Sequence, residues 1–218
     1  MPNTSKRQPS PELGRKSAYV LRNRAAILRA SAEVLAANGR GATVEEIAQH
    51  AEVAVSTIYK HFKDKDALVS ATLLALQTEW LSNVVASSEQ SPDPFEQLVI
   101  PMRFFVRLPQ TNPHLARLLL NFFDVATTML QDFFSGLLTR IETMEKTGLL
   151  KVEKTEVVIR NLFAVLSVAV IYQLNNPEST IEEADDAVCA ALGMLGISTA
   201  KAKKLVALPM PTLVLASR

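Results

Sequence analysis

Apolar positions along this chain recur mostly at spacings of three and four, the period of a helix; the alternation of a half-buried strand is hard to find. The first periodic stretch runs from Tyr19 to Asn38, with Ile27, Leu28, Val34 and Leu35 on one face and Gly39 as its stop. "TVEEIAQHA" follows. Thr43 with Glu46 three residues on is a capping box, so a short second helix is predicted from Val44 to about Ala51. A third carries "VSTIYKHF", with Ile58 and Phe62 as its apolar stripe. Asp64 caps a fourth, which extends to about Ala86. Beyond "SSEQSPDP" the pattern predicts helices at about 94–109, 112–121, 124–147, 155–175 and 180–195. Pro101 is expected to kink the first of these, and Pro113 to open the second. Leu130, Phe134, Leu137, Ile141 and Met144 form a stripe on the third; Thr180 with Glu183 is a second capping box. The predicted class is all-α.

Composition narrows the function classes. The chain has 218 residues, 48% hydrophobic and 21% charged, enough apolar material for a substantial core. A single Cys excludes an intramolecular disulfide, and three scattered His with it give no zinc spacing, so neither metal nor cofactor is expected. Phosphate-binding Gly loops and nucleophile elbows are lacking, which argues against an enzyme. The polar, Pro-rich start is not a signal peptide, and the most apolar run, residues 162–174, is shorter than the about 20 residues a spanning helix needs. A cytoplasmic protein with no membrane partner is expected.

The net charge of +1 conceals a division. Residues 1–65 carry 11 Lys and Arg against 6 Asp and Glu, and the remainder 12 against 16. A basic first third suits phosphates, and the acidic remainder has no such need. The expected layout is a disordered basic arm over 1–17, a helix-turn-helix DNA-binding domain over 18–66, a helical ligand-binding and dimerisation domain over 67–207, and a tail over 208–218.

Two short helices joined by a tight turn form a helix-turn-helix. Placed in a major groove, the first turn of the third helix would offer Val55 to thymine methyls, and Ser56 and Thr57 to base edges. Tyr59 and His61 would reach phosphates, and Lys65 and the capping Thr43 would add phosphate contacts at helix N-termini. The same stretch also reads as a capped amphipathic helix with a wet polar side.

Residues 27–73, through "ATVEEIA", "TIYKHF" and "DKDAL", resemble the DNA-binding domain of TetR-family transcriptional regulators. That resemblance implies a homodimeric factor, usually a repressor, that binds a palindromic double-stranded operator and releases it when a small-molecule effector binds. It also implies DNA-facing roles for Thr43, Val55, Ser56, Thr57, Tyr59, Lys60, His61 and Lys65. Two positions depart from the family pattern: Glu52 stands where Gly is usual in the turn, and Ala54 where Ser or Thr caps the recognition helix. These departures keep open an alternative, a helical ligand- or protein-binding module that has lost sequence-specific DNA binding.

Eight of nine Phe lie beyond residue 90, so the second part holds the rings that shape cavities and interfaces. Trp80, Met102, Phe105, Phe122, Met129, Phe133 and Phe163 are the candidate pocket residues, for an apolar or aromatic effector. Each of these is also a plausible core residue. Arg103, Arg107, Arg117, Asp124 and Arg160 are the few charges that could line such a cavity, most of them expected to face solvent. From Leu162 to Leu174 only Ser167 and Gln173 are plainly polar. A helix apolar nearly all round is covered on more than one side. A second subunit would cover one side through Leu162, Val165, Leu166, Ala169, Val170, Val188 and Leu192; the other possibility is the central helix of a monomer.

Overall fold

The computed structural model describes residues 11–122 and 131–213, with side chains over 20–122 and 135–213. Lys6, Arg7, Asp124, Met129 and Leu130 lie outside the described residues, as do the side chains of Arg15, Lys16, Phe133 and Phe134. Every described element is helical, and the chain divides after Thr72 into two compact units.

The first unit begins with α1, Pro11–Asn38, which starts eight residues before the predicted Tyr19. Helix therefore occupies part of the segment expected to be a disordered arm. Proline is well suited to a first helical position, where its missing N–H has no partner to lose. A 3-10 turn at Gly39–Gly41 leads to α2, Val44–His50, then α3, Val55–His61, and α4, Lys65–Ser88, whose first two turns belong to this unit. Caps explain these boundaries. Thr43 Oγ1 accepts the Glu46 N–H at 3.2 Å while Glu46 Oε2 accepts the Thr43 N–H at 2.8 Å. Asp64 Oδ1 accepts the Ala67 N–H at 2.8 Å and opens α4. Ile27 and Leu35 of α1, Ile47 of α2, Ile58 and Phe62 around α3, and Leu68 of α4 are buried together as the core. Thr72 and Ser31 place two buried hydroxyls 3.0 Å apart beneath it.

The turn between α2 and α3 is a Schellman motif. The Val53 N–H donates to the Ala48 carbonyl at 2.9 Å and the Glu52 N–H to Gln49 at 3.1 Å. Glu52 accordingly sits at φ +54°, where glycine is at ease and a β-carbon is crowded by about 1–2 kcal/mol. Glu52→Gly should raise stability by about 0.5–1 kcal/mol after the greater freedom of unfolded glycine is subtracted. Thermal denaturation tests this, and an unchanged or lower midpoint would contradict the crowding.

The second unit holds the rest of α4 and α5, Pro94–Val106; α6, Leu108–Thr111; α7, Pro113–Asn121; α8, Gln131–Lys146; α9, Thr155–Asn175; α10, Ile181–Met194; and α11, Thr199–Val206. Helix α5 runs through Pro101 and stops at Val106, short of the predicted 109. Helix α11 was absent from the sequence reading; Ser198 caps it through the Lys201 N–H, and the Lys201 ammonium lies 3.0 Å from the centre of the Phe95 ring. Helix α9 is central, packing on α5, α7, α8 and α10. At 21 residues with mean hydropathy 1.9 it is long and apolar enough to cross a membrane, unlike the 13-residue run from which that was excluded. Its Ile159, Leu162, Phe163, Leu166 and Val170 are instead buried in this unit's core, with Met102, Leu118, Ile141 and Leu192 among the other buried side chains.

Candidate nucleic-acid interface and effector domain

Helix α3 carries its polar residues on the side away from Ile58. Ser56, Tyr59 and Lys60 are exposed, Tyr59 by 51%, and Val55, Thr57 and His61 are half-buried. Sequence VSTIYKH contains no acid, and Lys60 and His61 occupy the last turn. Three acids of the unit gather elsewhere: Glu33, Glu46 and Glu52 line an open groove of about 490 Å³ with Gln49 and His50, and His50 Nε2 lies 2.5 Å from Glu33 Oε2. The surface of α3 is thus suited to a polyanion, and that groove is not.

Thr43 is exposed at the start of α2. Its oxygen accepts the Glu46 N–H at 3.2 Å. Hydrogen bonds from Thr43, the backbone N–H first, hold the Glu46 carboxyl below its ordinary range. Lys65 is only partly available. Its ammonium donates to the Arg40 carbonyl at 2.9 Å, tying the start of α4 to the turn after α1. This tether, across 25 residues, was not visible in the sequence. The Arg24 guanidinium, 5.1 Å over the Phe62 ring, is a further cation beside α3 that sequence reasoning missed, because no local pattern pairs them.

Ala54 occupies the N-cap of α3 with extended backbone and no side-chain cap bond. Ala54→Ser should supply that acceptor without backbone change and stabilise the unit by about 1 kcal/mol. Urea denaturation should show a higher midpoint at unchanged slope; no shift would mean that the α3 N–H groups are already satisfied.

In the second unit, the Phe105 ring lies edge-on to Trp80 at 6.2 Å and tilted against Phe163 at 5.8 Å. Met102 and Phe122 are buried, so four of the candidate pocket residues, with half-buried Trp80, have described positions in this unit. Met129 and the Phe133 side chain lie outside the described residues. Two candidate arginines are not solvent-facing. Arg103 is 4% exposed, and with Arg107 it brackets Asp185 of α10: Arg107 Nη2 donates to Oδ2 at 2.6 Å and Arg103 Nη2 at 3.3 Å. Arg103 Nη1 also donates to the Leu208 carbonyl at 2.7 Å, holding the segment after α11. Burial lowers the Arg103 pKa and Asp185 opposes that shift. Arg117 and Arg160 are exposed as expected.

The residues inferred from sequence as an interface lie mostly inside the unit. Leu162, Leu166, Val170, Val188 and Leu192 are buried in the unit's own core, and Val165 and Ala169 are half-buried. The face left uncovered is one step round α9: Val157, Ala164, Val168 and Tyr172, with Val168 63% and Tyr172 55% exposed. A helix this apolar does not reveal its phase from composition.

Among the described residues, no group of three or more His, Cys, Asp or Glu side chains could hold a metal ion.

Residues 27–72, α1 to the start of α4, match the family model described as bacterial regulatory proteins of the tetR family. The first unit is a tetR-family domain. The whole chain has the fold of TetR-family regulators. RolR in complex with resorcinol superposes with a TM-score of 0.73 at 18% identity, covering 91% of this chain and all of that one. A TetR family transcription regulator from Marinobacter aquaeolei VT8 gives 0.65 at 22% identity, covering 83% and 98%. A transcriptional regulator from Rhodococcus sp. Rha1 gives 0.67 at 20%, covering 79% and 95%. No curated protein matches the chain. In the tetR-family domain of this chain, Glu52 occupies the turn and Ala54 the cap, so both departures noted in the sequence have a structural address.

Proposed function

We propose that this protein is a cytoplasmic transcription regulator that binds a palindromic DNA operator as a homodimer and releases it when a small apolar or aromatic effector occupies the second unit. The observation that carries the reading is α3: an acid-free recognition helix, anchored by buried Ile58, with Ser56, Tyr59 and Lys60 exposed inside a tetR-family domain. Val55, Ser56 and Thr57 would meet base edges; Thr43, Tyr59, His61 and Lys65 would meet phosphates. The uncovered face of α9 and exposed Ala190 and Met194 of α10 favour a second copy of the chain. Two-fold pairing suits two recognition helices about 34–36 Å apart. The aromatic group Trp80, Phe105 and Phe163 favours an aromatic effector, and RolR, of the same fold, was solved with resorcinol.

Repression relieved by ligand requires only that the ligand bind the state off DNA more tightly. Helix α4 carries Leu68 of the first core and Trp80 of the aromatic group, so it is the element through which that preference would act.

Selection of bound sequences from a randomised duplex pool, at about physiological salt, tests the reading. An enriched palindrome is expected, with affinity falling steeply between about 50 and 200 mM salt. Absence of enrichment by protein shown to be folded and dimeric, and refolded from denaturant to remove bound ligand, would overturn it in favour of a module without DNA binding.

A further inference from the structure

Hydroxyls in the helices of this protein usually close on their own helix. Thr72, Ser82, Ser87, Thr139, Thr143 and Thr147 each donate to the carbonyl four residues earlier. Ser167 of α9 does not. It is 5% exposed, and its Oγ has no hydrogen-bond partner among the described residues. Buried hydroxyls are almost always paired, and α9 offers the Phe163 carbonyl one turn back. The side chain forgoes that acceptor and stands in the core as an unused donor and acceptor.

Its neighbour one turn back on α9 is an aromatic ring. Phe163 is one turn earlier on the same face, and Phe105 and Trp80 continue the row of rings. One placed polar group beside a mostly apolar lining is the ordinary composition of a small-molecule site. None of these four side chains carries charge. The buried cation of the same unit, Arg103, is paired with Asp185.

We propose that Ser167 is the polar anchor of the effector site and that the effector is a small neutral phenol. Its ring packs on Phe105, Phe163 and Trp80, and its hydroxyl exchanges a hydrogen bond with Ser167 Oγ. The phenolic O–H both donates and accepts, as Ser167 can, and the planar ring matches edge-to-face and offset packing. A carboxylate would enter a wall with no counter-charge. This inference rests on the reading that the second unit binds the effector, and names the ligand's chemistry and the residue that reads it.

The full-length protein offers its own reporter, since Trp80 is the single tryptophan. Phenol, resorcinol, benzoate and cyclohexanol are titrated by calorimetry and by Trp80 fluorescence, without DNA. Phenol and resorcinol are expected to bind and to change the fluorescence, with benzoate and cyclohexanol at least about tenfold weaker. Ser167→Ala should weaken resorcinol about tenfold, yet raise the melting temperature of ligand-free protein, because an unpaired hydroxyl leaves the core. A purely structural serine would move the second readout the other way. The proposal fails if neither phenol nor resorcinol binds, if Ser167→Ala binds them unchanged, or if it lowers the ligand-free melting temperature. Phenols that bind through Ser167 without weakening operator affinity would leave this site standing and overturn effector control instead.

Discussion

Asp185→Ala should destabilise the protein by about 3–5 kcal/mol, a large share of the about 5–15 kcal/mol that holds a typical protein folded. The carboxylate is the shared acceptor of two guanidiniums, both largely buried, with Arg107 at 2.6 Å and Arg103 at 3.3 Å. Its removal leaves two like charges facing each other in the core between α5 and α10. Burial already opposes the charged form of Arg103, and Asp185 is the group that counters it. The attraction between the groups is not what makes the loss large; the uncompensated desolvation of what remains does that. Replacing the ions together by apolar residues of similar volume, Arg103→Met with Arg107→Met and Asp185→Leu, should recover most of the loss. Urea denaturation of the single and triple variants decides it. A cost below about 1 kcal/mol for Asp185→Ala, or a triple variant no better than the single, would show that the cluster is hydrated.

Val168→Glu should convert the protein to a monomer and abolish measurable operator binding. Val168 is 63% exposed on the uncovered face of α9, so the substitution leaves the subunit's own core untouched. In a two-fold interface each substitution appears twice, and each unpaired carboxylate taken out of water costs several kcal/mol. The dimer dissociation constant should rise at least about a hundredfold. Light scattering measures the mass, and circular dichroism confirms that the helices persist. A Val168→Glu protein that stays dimeric would move the interface elsewhere. Leu166→Glu is the informative comparison. Leu166 belongs to the subunit core, so that variant should unfold the unit rather than separate two folded copies.

These two predictions concern features that were read differently from sequence. Arg103 and Arg107 were among five charges read as possible cavity lining, most of them expected to face solvent; they meet an aspartate 82 and 78 residues away, and nothing local announces such a pairing. Leu162, Leu166, Val170, Val188 and Leu192 were assigned to a partner, and the fold uses them internally. The helix itself was placed at 155–175, as the structure has it, but a run with two polar residues in thirteen gives a helical wheel no contrast from which to read its phase. Ser167, one of those two, was noted only as an exception to the apolar run; its lack of a partner emerged from the packing around it.

Features that depend on neighbours within a turn or two of chain could be read before any packing was known. Thr43 with Glu46, and Asp64, satisfy the backbone donors that open helices, and Pro113 suits a first helical position, so those starts were legible. The Ile58 and Phe62 stripe set the phase of α3 because most of its other residues are polar; of the five residues expected to face out, Ser56, Tyr59 and Lys60 are exposed and Val55 and Thr57 are half-buried. The strained turn at Glu52 and the uncapped Ala54 were likewise legible, as departures from the pattern of the family that the chain resembles. Tertiary structure alone decided which side of α9 is inside, which arginines are neutralised, where Lys65 is tied and which hydroxyl stays unpaired. Each of these is set by groups brought together from distant parts of the chain, and by burial, which makes the absence of a partner costly and exists only once the helices have packed.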